Sequence, residues 1–332
     1  MNKKLHRKPR PARTDGQLQQ RACIALCTAK RPKMLQRCLS SIADQEIPEG
    51  WKLMLVVCEN TEKPECRDQV DAFAGTVPFD VRYLHEPKTG IPIARNRTLE
   101  AALDMGSNWI LFLDDDEVAE TTWLAAFANA ASAYGVEIYR GPVIRDYPDG
   151  TPDWYPRKSV MVGQSGEPVS RVFTSNTMMN ATIASSQGLS LRFDESLRYT
   201  GGSDLDYFER AMSQGMRAVA VPDAIVRELV PAERVTLGWH LGRVQRKATN
   251  NTRSRIGKNG KGLEIFKFAI ELIPAIFSIL FDTLRVLLSA VFSPGSAKSK
   301  AVSVLRKLAR LSGRARALVG ISPQPYRKIQ GE

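Results

Sequence analysis

WILFLDDDE, residues 109–117, runs five apolar positions into four acidic ones. A short apolar run that stops at polar residues reads as a strand buried on both faces, the kind found inside parallel sheets. Carboxylates crowded beside a low-dielectric core repel one another more strongly than in water. A strand that ends this way implies a positive partner in front of it.

Outward from this strand the pattern alternates. ACIALCT (22–28) reads as a buried strand, and Pro32 fits the first turn of a helix through about Asp44. KLMLVVC (52–58) is a second strand, followed by a weaker helix from Pro64 to Phe73; FDVRYL (79–84) is a third. IPIARNRTLEAALDMG (91–106) has helical spacing with Gly106 as its stop, and TTWLAAFANAASAYG (121–135) is the next helix. Strands alternating with helices predict an α/β fold, a mostly parallel Rossmann-like sheet flanked by helices. In such sheets ligands bind beyond the carboxyl ends of the strands, where the acidic run falls.

Residues 140–200 loosen into Pro, Gly and aromatic positions, which predicts loops and antiparallel strands of an acceptor-recognising half. SDLDYFERAMSQG (203–215) returns to helical spacing and MRAVAVPDAIV (216–226) reads as one more strand. The expected division is a basic flexible arm (1–20), a catalytic domain (21–240) split near residue 140, a basic linker (241–262) and a helical tail (263–332). The tail segment 262–292 is long enough to span a bilayer, but Glu264, Lys267, Glu271, Asp282 and Arg285 interrupt it and Pro274 would kink it. An in-plane or shallow re-entrant helix suits it better. Residues 297–320 form a second, basic amphipathic helix with Val304, Leu308 and Leu311 near one face. A basic face beside an apolar one fits an anionic membrane surface; a helical pair packed on the catalytic domain, or joining a homo-oligomer, is the other reading.

A charged share of 25% beside 43% hydrophobic residues excludes disorder as the main state. The formal charge of +12 implies an acidic partner. The excess sits in the N-terminal arm, in residues 243–261 and in the tail, without interleaved aromatics or a reading module, which argues against nucleic acid. Cys23, Cys27, Cys38, Cys58 and Cys66 lack paired zinc-type spacing and read as reduced thiols of a cytosolic compartment. No apolar stretch follows the basic N-terminus, so a secretory signal is not expected there.

Side chains alternate along a strand, so extended geometry past Leu113 would point Asp114 and Asp116 one way and Asp115 the other. Oxygen ligands so placed suit Mg2+ or Mn2+ bridging to a diphosphate. The alternative is that Asp114 to Glu117 only favour the positive end of the following helix. Glu59 and Asn60 end the second strand and Arg95 and Asn96 open a helix, so polar groups converge on one edge. Asp204 and Asp206 begin a helix after two glycines, where capping is the simpler role and delivery of a general base the sharper one.

CTAKRPKMLQRCLSSI, VVCEN, GIPIARNRTLEAA, FLDDDE and GGSDLDYFERAMSQG, in this order, resemble family 2 glycosyltransferases of the GT-A fold. Within them the chain is similar to bacterial exopolysaccharide transferases of the succinoglycan type. The resemblance spans about residues 20–240. It implies a nucleotide-sugar site in which Glu59, with Asn60 beside it, stands where an Asp contacts the base, and Thr28 and Arg31 lie in the loop holding the nucleotide. Arg95 and Asn96 match an element beside the diphosphate, and Asp114 and Asp116 the DxD element. Asp116 is then the first choice for the metal, Asp114 for metal or sugar and Asp115 for the ribose or sugar side. Asp204 matches the base that deprotonates the acceptor, and His240 lies where some GT-A enzymes add a metal contact.

Two departures stand out: Glu59 for Asp, and Ser203 for the Glu usually preceding the base. Gln245 and Arg246 only echo the QxxRW element of processive synthases, which implies single-sugar addition. The implied enzyme is inverting and dependent on a divalent cation (Mn2+ or Mg2+). It would use a UDP-sugar and extend a lipid-diphosphate-linked saccharide at the cytoplasmic face of a bacterial inner membrane. Transfer to lipopolysaccharide core, or a non-catalytic scaffold of the polysaccharide machinery, are the alternatives.

Overall fold

The computed structural model describes residues 19–198, 201–292 and 294–321, so the expected basic arm lies almost wholly outside the described residues. In chain order the strands are β1 (Gln20–Thr28), β2 (Trp51–Glu59), β3 (Asp80–His85), β4 (Trp109–Asp114), β5 (Glu117–Ala119), β6 (Ile138–Arg140), β7 (Val143–Asp146), β8 (Thr177–Asn180), β9 (Ala218–Ala220) and β10 (Val226–Leu229). The helices are α1 (Pro32–Ala43), α2 (Arg67–Ala74), α3 (Ile91–Asp104), α4 (Trp123–Tyr134), α5 (Ser203–Ser213), α6 (Leu237–Asn259), α7 (Lys261–Phe292) and α8 (Pro294–Leu318).

Seven strands form the central sheet in the order β3-β2-β1-β4-β8-β6-β9. Only β8 runs against its neighbours, so the sheet is mostly parallel. A smaller sheet orders β5-β10-β7 beside it. The register aligns the carboxyl ends of the first strands: Thr28 lies opposite Glu59, Glu59 opposite His85, and Cys27 opposite Asp114. That row is the floor of the site.

Alternation along the strands fills two apolar layers. Leu26, Leu55 and Leu111 face α1 and α4 through Leu35, Ile42, Trp123 and Phe127. Ala25, Val56 and Phe112 face the opposite side with Leu99 of α3, Phe193, and Tyr207 and Phe208 of α5. Phe112 meets Phe193 and Phe208 edge-on at 5.9 and 6.3 Å. Truncating a buried phenylalanine of this kind costs about 3–5 kcal/mol. This packing fixes α5, and with it Asp204, against the strand that carries the acidic run.

Three expectations change. The apolar-to-acidic strand ends at Asp114, turns through Asp115 and Asp116, and restarts as β5. The strand expected over 216–226 is two strands in different sheets, separated around Pro222, which cannot donate to a ladder. The expected linker (241–262) is mostly helix, since Thr236 caps α6 by accepting from the Trp239 N–H and the helix runs to Asn259.

In the tail, α7 is one helix through Pro274. In α8, Leu308 is exposed, while Val302 and Ala317 are buried. α8 comes close to α6 at Gly313, where a Cβ would stand 2.3 Å from the Gln245 carbonyl. Thr249 Oγ1 donates to the Gly313 carbonyl at 2.9 Å across the same crossing.

Candidate active site

The acidic turn after β4 is held by residues far away in sequence. Buried Asp115 accepts from Thr28 Oγ1 at 2.9 Å and from Arg31 Nη1 at 3.0 Å. Asp116 pairs with Arg234 at 3.0 Å and lies 3.9 Å from Arg31. Asp114 lies 3.7 Å from Arg95 and keeps 41% of its side chain open. Glu117 is buried beneath the turn and accepts from the Asp114 N–H at 3.0 Å. It closes the turn instead of facing the cleft.

The positive partner implied by the sequence is thus in part a ring of arginines, and it does not balance the charge. Burial, against the pull of Arg31 and with the repulsion of Asp116, pushes Asp115 up to about 6. Enclosure likewise raises Asp114, opposed by Arg95 and reinforced by Asp116, Asp115 and Asp204; the open part of its surface tempers that rise. Burial and then the Asp114 charge raise Glu117 well above the usual carboxylate range.

Asp204 stands in the first turn of α5, after Gly201 and Gly202, whose φ values of 77° and 92° only glycine adopts without strain. Half-buried, it accepts from the Leu205 N–H at 2.9 Å, and its charge is felt by both Asp114 and Arg140. Arg140, at the end of β6, has no direct carboxylate partner among the described residues. It donates to the carbonyls of Phe173 and Ser175 and to Thr177 Oγ1, and burial holds its pKa down while Glu117, Asp204 and Asp114 push it up. It is a buried cation beneath the acidic cluster.

Other residues named from the sequence hold the walls. Glu59 is fully buried and accepts from Tyr83 Oη at 2.6 Å, the Glu65 and Cys66 N–H groups at 2.7 and 3.0 Å, and Thr61 Oγ1 at 3.3 Å. Burial pushes its carboxyl up, but these donors outweigh it and hold the group below its usual range. Its oxygens are committed to shaping the loop after β2. Asn60 donates to the carbonyls of Glu86 and Lys88 and accepts from the Gly90 N–H, latching the loop before α3. Asn96 exchanges hydrogen bonds with the backbone of Phe193 at 3.0 and 2.8 Å, tying α3 to the segment that leads to Asp204.

His240 lies in the first turns of α6. Its ring packs on Tyr155 and Trp154 at 5.4 and 5.9 Å, its Nε2 is buried without a partner, and burial, with Arg306 and Arg243, holds its pKa down. Trp154 and Tyr155 pack with Val230 and Val235, a small core. Trp239 lies beneath Arg243 and Arg246.

The donor set fits a hard divalent cation: Asp114 has an open carboxyl, Asp116 follows within the same turn, and the cluster keeps unneutralised negative charge. Among the described residues no three His, Cys, Asp or Glu side chains form a cage. A cation here would take one or two carboxylates and fill its shell from phosphate and water. Sequence reasoning missed Arg140 and Arg234. Arg140 carries a usable signal, a lone cation closing a short apolar strand; Arg234 carries none, because its partner lies 118 residues away.

The family model for glycosyl transferase family 2 matches residues 23–197, and the chain belongs to that family. The succinoglycan biosynthesis protein ExoM of Rhizobium meliloti (strain 1021) is 32% identical over 220 residues, which cover 65% of this chain and 69% of the relative. Among solved structures, the mannosyltransferase PcManGT from Pyrobaculum calidifontis, in complex with GDP-Man and Mn2+, superposes with a TM-score of 0.58 at 15% identity, covering 90% of this chain and 87% of that one. TarS 1-349 of S. aureus in complex with UDP gives 0.50 at 17% identity, over 89% and 91% of the two chains. The fold is GT-A.

Proposed function

We propose that this family 2 glycosyltransferase moves a single sugar, glucose or a related hexose, from a UDP-sugar to a lipid-diphosphate-linked oligosaccharide, with inversion, in bacterial exopolysaccharide synthesis. The observation that carries the reading is the convergence of the Asp114–Asp116 turn and Asp204 in one electrostatic field at the carboxyl edge of the sheet. The sequence likeness to the succinoglycan biosynthesis protein supports the pathway assignment.

The reaction places demands that these residues meet. The leaving group is a nucleoside diphosphate; Asp116 and Asp114 would hold a divalent cation, which would neutralise its charge. Arg95, beside Asp114, adds a fixed positive group at the same edge, while Thr28 and Arg31 hold Asp115 rigid. Asp204 accepts the proton of the acceptor hydroxyl as that oxygen attacks the anomeric carbon opposite the departing diphosphate. Arg234, paired with Asp116 at 3.0 Å, would compete with a cation for that carboxylate. Glu59, whose oxygens are occupied, shapes the base pocket through the backbone of Glu65 and Cys66.

An exposed, long, apolar helix, α7, supports membrane association. We place it in the cytoplasmic leaflet of the inner membrane, lying in its plane. The deciding experiment is a screen of sugar nucleotides for Mn2+- or Mg2+-dependent release of nucleoside diphosphate. Release from a UDP-hexose supports the reading. No release from any donor, with intact folding and added membrane lipid extract, would leave the scaffold alternative in its place.

A further inference from the structure

The three tail helices enclose a second cleft of about 750 Å³, separate from the acidic turn. Six cationic and two anionic side chains line it, and no aromatic does. One wall is an arginine ladder on α8, with Arg306, Arg310 and Arg314 four residues apart and hence stacked on one helix face. The facing wall is a stripe of α6 that carries Lys247. Arg314 pairs with Glu271, and Glu264 is buried between Arg255 at 2.9 Å and Lys267 at 3.8 Å. Among the described residues Lys247, Arg306 and Arg310 have no carboxylate within 4.0 Å.

Like charges at successive turns of one helix are destabilising. The arrangement is relieved by an anion with several oxygens. Guanidinium groups one helical turn apart, about 6 Å, suit two linked phosphates better than one, because each planar fork can take two oxygens. The third wall belongs to α7, whose next turns expose Ile270, Ile273, Phe277, Leu280 and Phe281. An anion held in the cleft therefore sits at the margin of an apolar surface. That combination suits a lipid, and the lack of aromatic lining disfavours a nucleotide or single-stranded nucleic acid.

We infer that the cleft between α6, α7 and α8 is a binding site for a membrane-lipid headgroup carrying two phosphates, with Arg306, Arg310 and Lys247 as its anchoring cations. The inference rests on the membrane reading above and deepens it from general attraction to a site with phosphate geometry. Two lipids share this chemistry, a dimeric phospholipid with two phosphodiesters and a polyprenyl diphosphate of the acceptor kind.

The test is flotation of the full chain with phosphatidylcholine vesicles containing phosphatidylglycerol, cardiolipin or a polyprenyl diphosphate, matched in surface charge. The expected result is about tenfold tighter binding to one or both two-phosphate vesicles than to phosphatidylglycerol vesicles. Which of the two is preferred identifies the source. The triple variant Lys247→Gln, Arg306→Gln, Arg310→Gln should lose that preference. A control with Lys261→Gln, Arg285→Gln and Lys298→Gln, which removes equal charge outside the cleft, should weaken binding to all anionic vesicles and keep the preference. Equal binding at equal charge, or equal loss of preference in both variants, overturns the site and leaves membrane association standing. A wild-type chain that floats with no vesicle overturns both.

Discussion

At the scale of single residues, the structure separates side chains that face chemistry from those that build its walls. Asp116→Ala leaves Arg234 and Arg31 without their shared carboxylate and removes the first-choice metal ligand. Metal-dependent donor turnover should fall by a factor on the order of 10²–10³, read as nucleoside diphosphate release; unchanged turnover would remove the metal assignment. Asp204→Asn keeps the shape of the α5 first turn but cannot take a proton. It should bind donor normally in calorimetry while transfer drops by a factor on the order of 10²–10⁴, and persistent transfer would place the base elsewhere. Glu59 belongs to the walls. Its carboxyl is held below the ordinary value of 4.5 by Tyr83 and the Cys66 and Glu65 N–H groups against the effect of burial. A depressed carboxylate contributes stability above the unfolded-state pKa and loses it as pH falls through the folded one. Tyr83→Phe should therefore destabilise by about 1.5–3 kcal/mol at pH 7, since the bond is charge-assisted. In urea melts the gap between wild type and variant should narrow below pH 4.5; a gap independent of pH would mean that the carboxylate is not what Tyr83 stabilises.

At the scale of elements, β1 to β4 are legible because apolar runs of strand length, bounded by polar residues, have few other uses. Boundaries defined by tertiary pairing are less so: MRAVAVPDAIV reads as one strand, yet Pro222 parts it between two sheets. The acidic edge was visible in WILFLDDDE, but its arginine ring was not. Arg31 and Arg234 meet the turn from 84 and 118 residues away, and no local pattern encodes such a contact. Nor does sequence tell that Glu59 and Asn96 spend their hydrogen bonds on loops, because motif position is blind to which way an oxygen is occupied. In the tail, basic spacing announced helices but not their partners. Gly313 decides these, since only a glycine lets α8 close on α6 at that point. Gly313→Leu should force the crossing apart at a cost of about 1–3 kcal/mol. Limited proteolysis should then cut between α7 and α8 while the sheet domain survives; an unaltered digestion pattern would mean that the crossing does not hold the tail together.

At the scale of the whole molecule, charge and apolar surface are divided between two ends. The sheet edge gathers carboxylates, and the tail gathers cations beside an exposed apolar helix. Phe266, Phe277, Phe281 and Phe292 of α7 are exposed, Phe277 by 68% and Phe281 by 62%. A surface of this extent is consistent with membrane association, the reading proposed above. Phe277→Asp together with Phe281→Asp withdraws two aromatic side chains from lipid, a loss of about 4 kcal/mol, and adds two charges that the interior of a leaflet rejects. The variant should leave the membrane fraction for the soluble one. Because neither residue belongs to the core clusters of the sheet domain, donor hydrolysis without acceptor should stay near the wild-type rate, whereas transfer to a membrane-embedded acceptor should collapse. Retention in the membrane fraction would assign anchoring to another part of the chain. Parallel loss of hydrolysis and transfer would instead show that the tail supports the fold of the sheet domain, and that its role is not confined to the membrane anchoring proposed above.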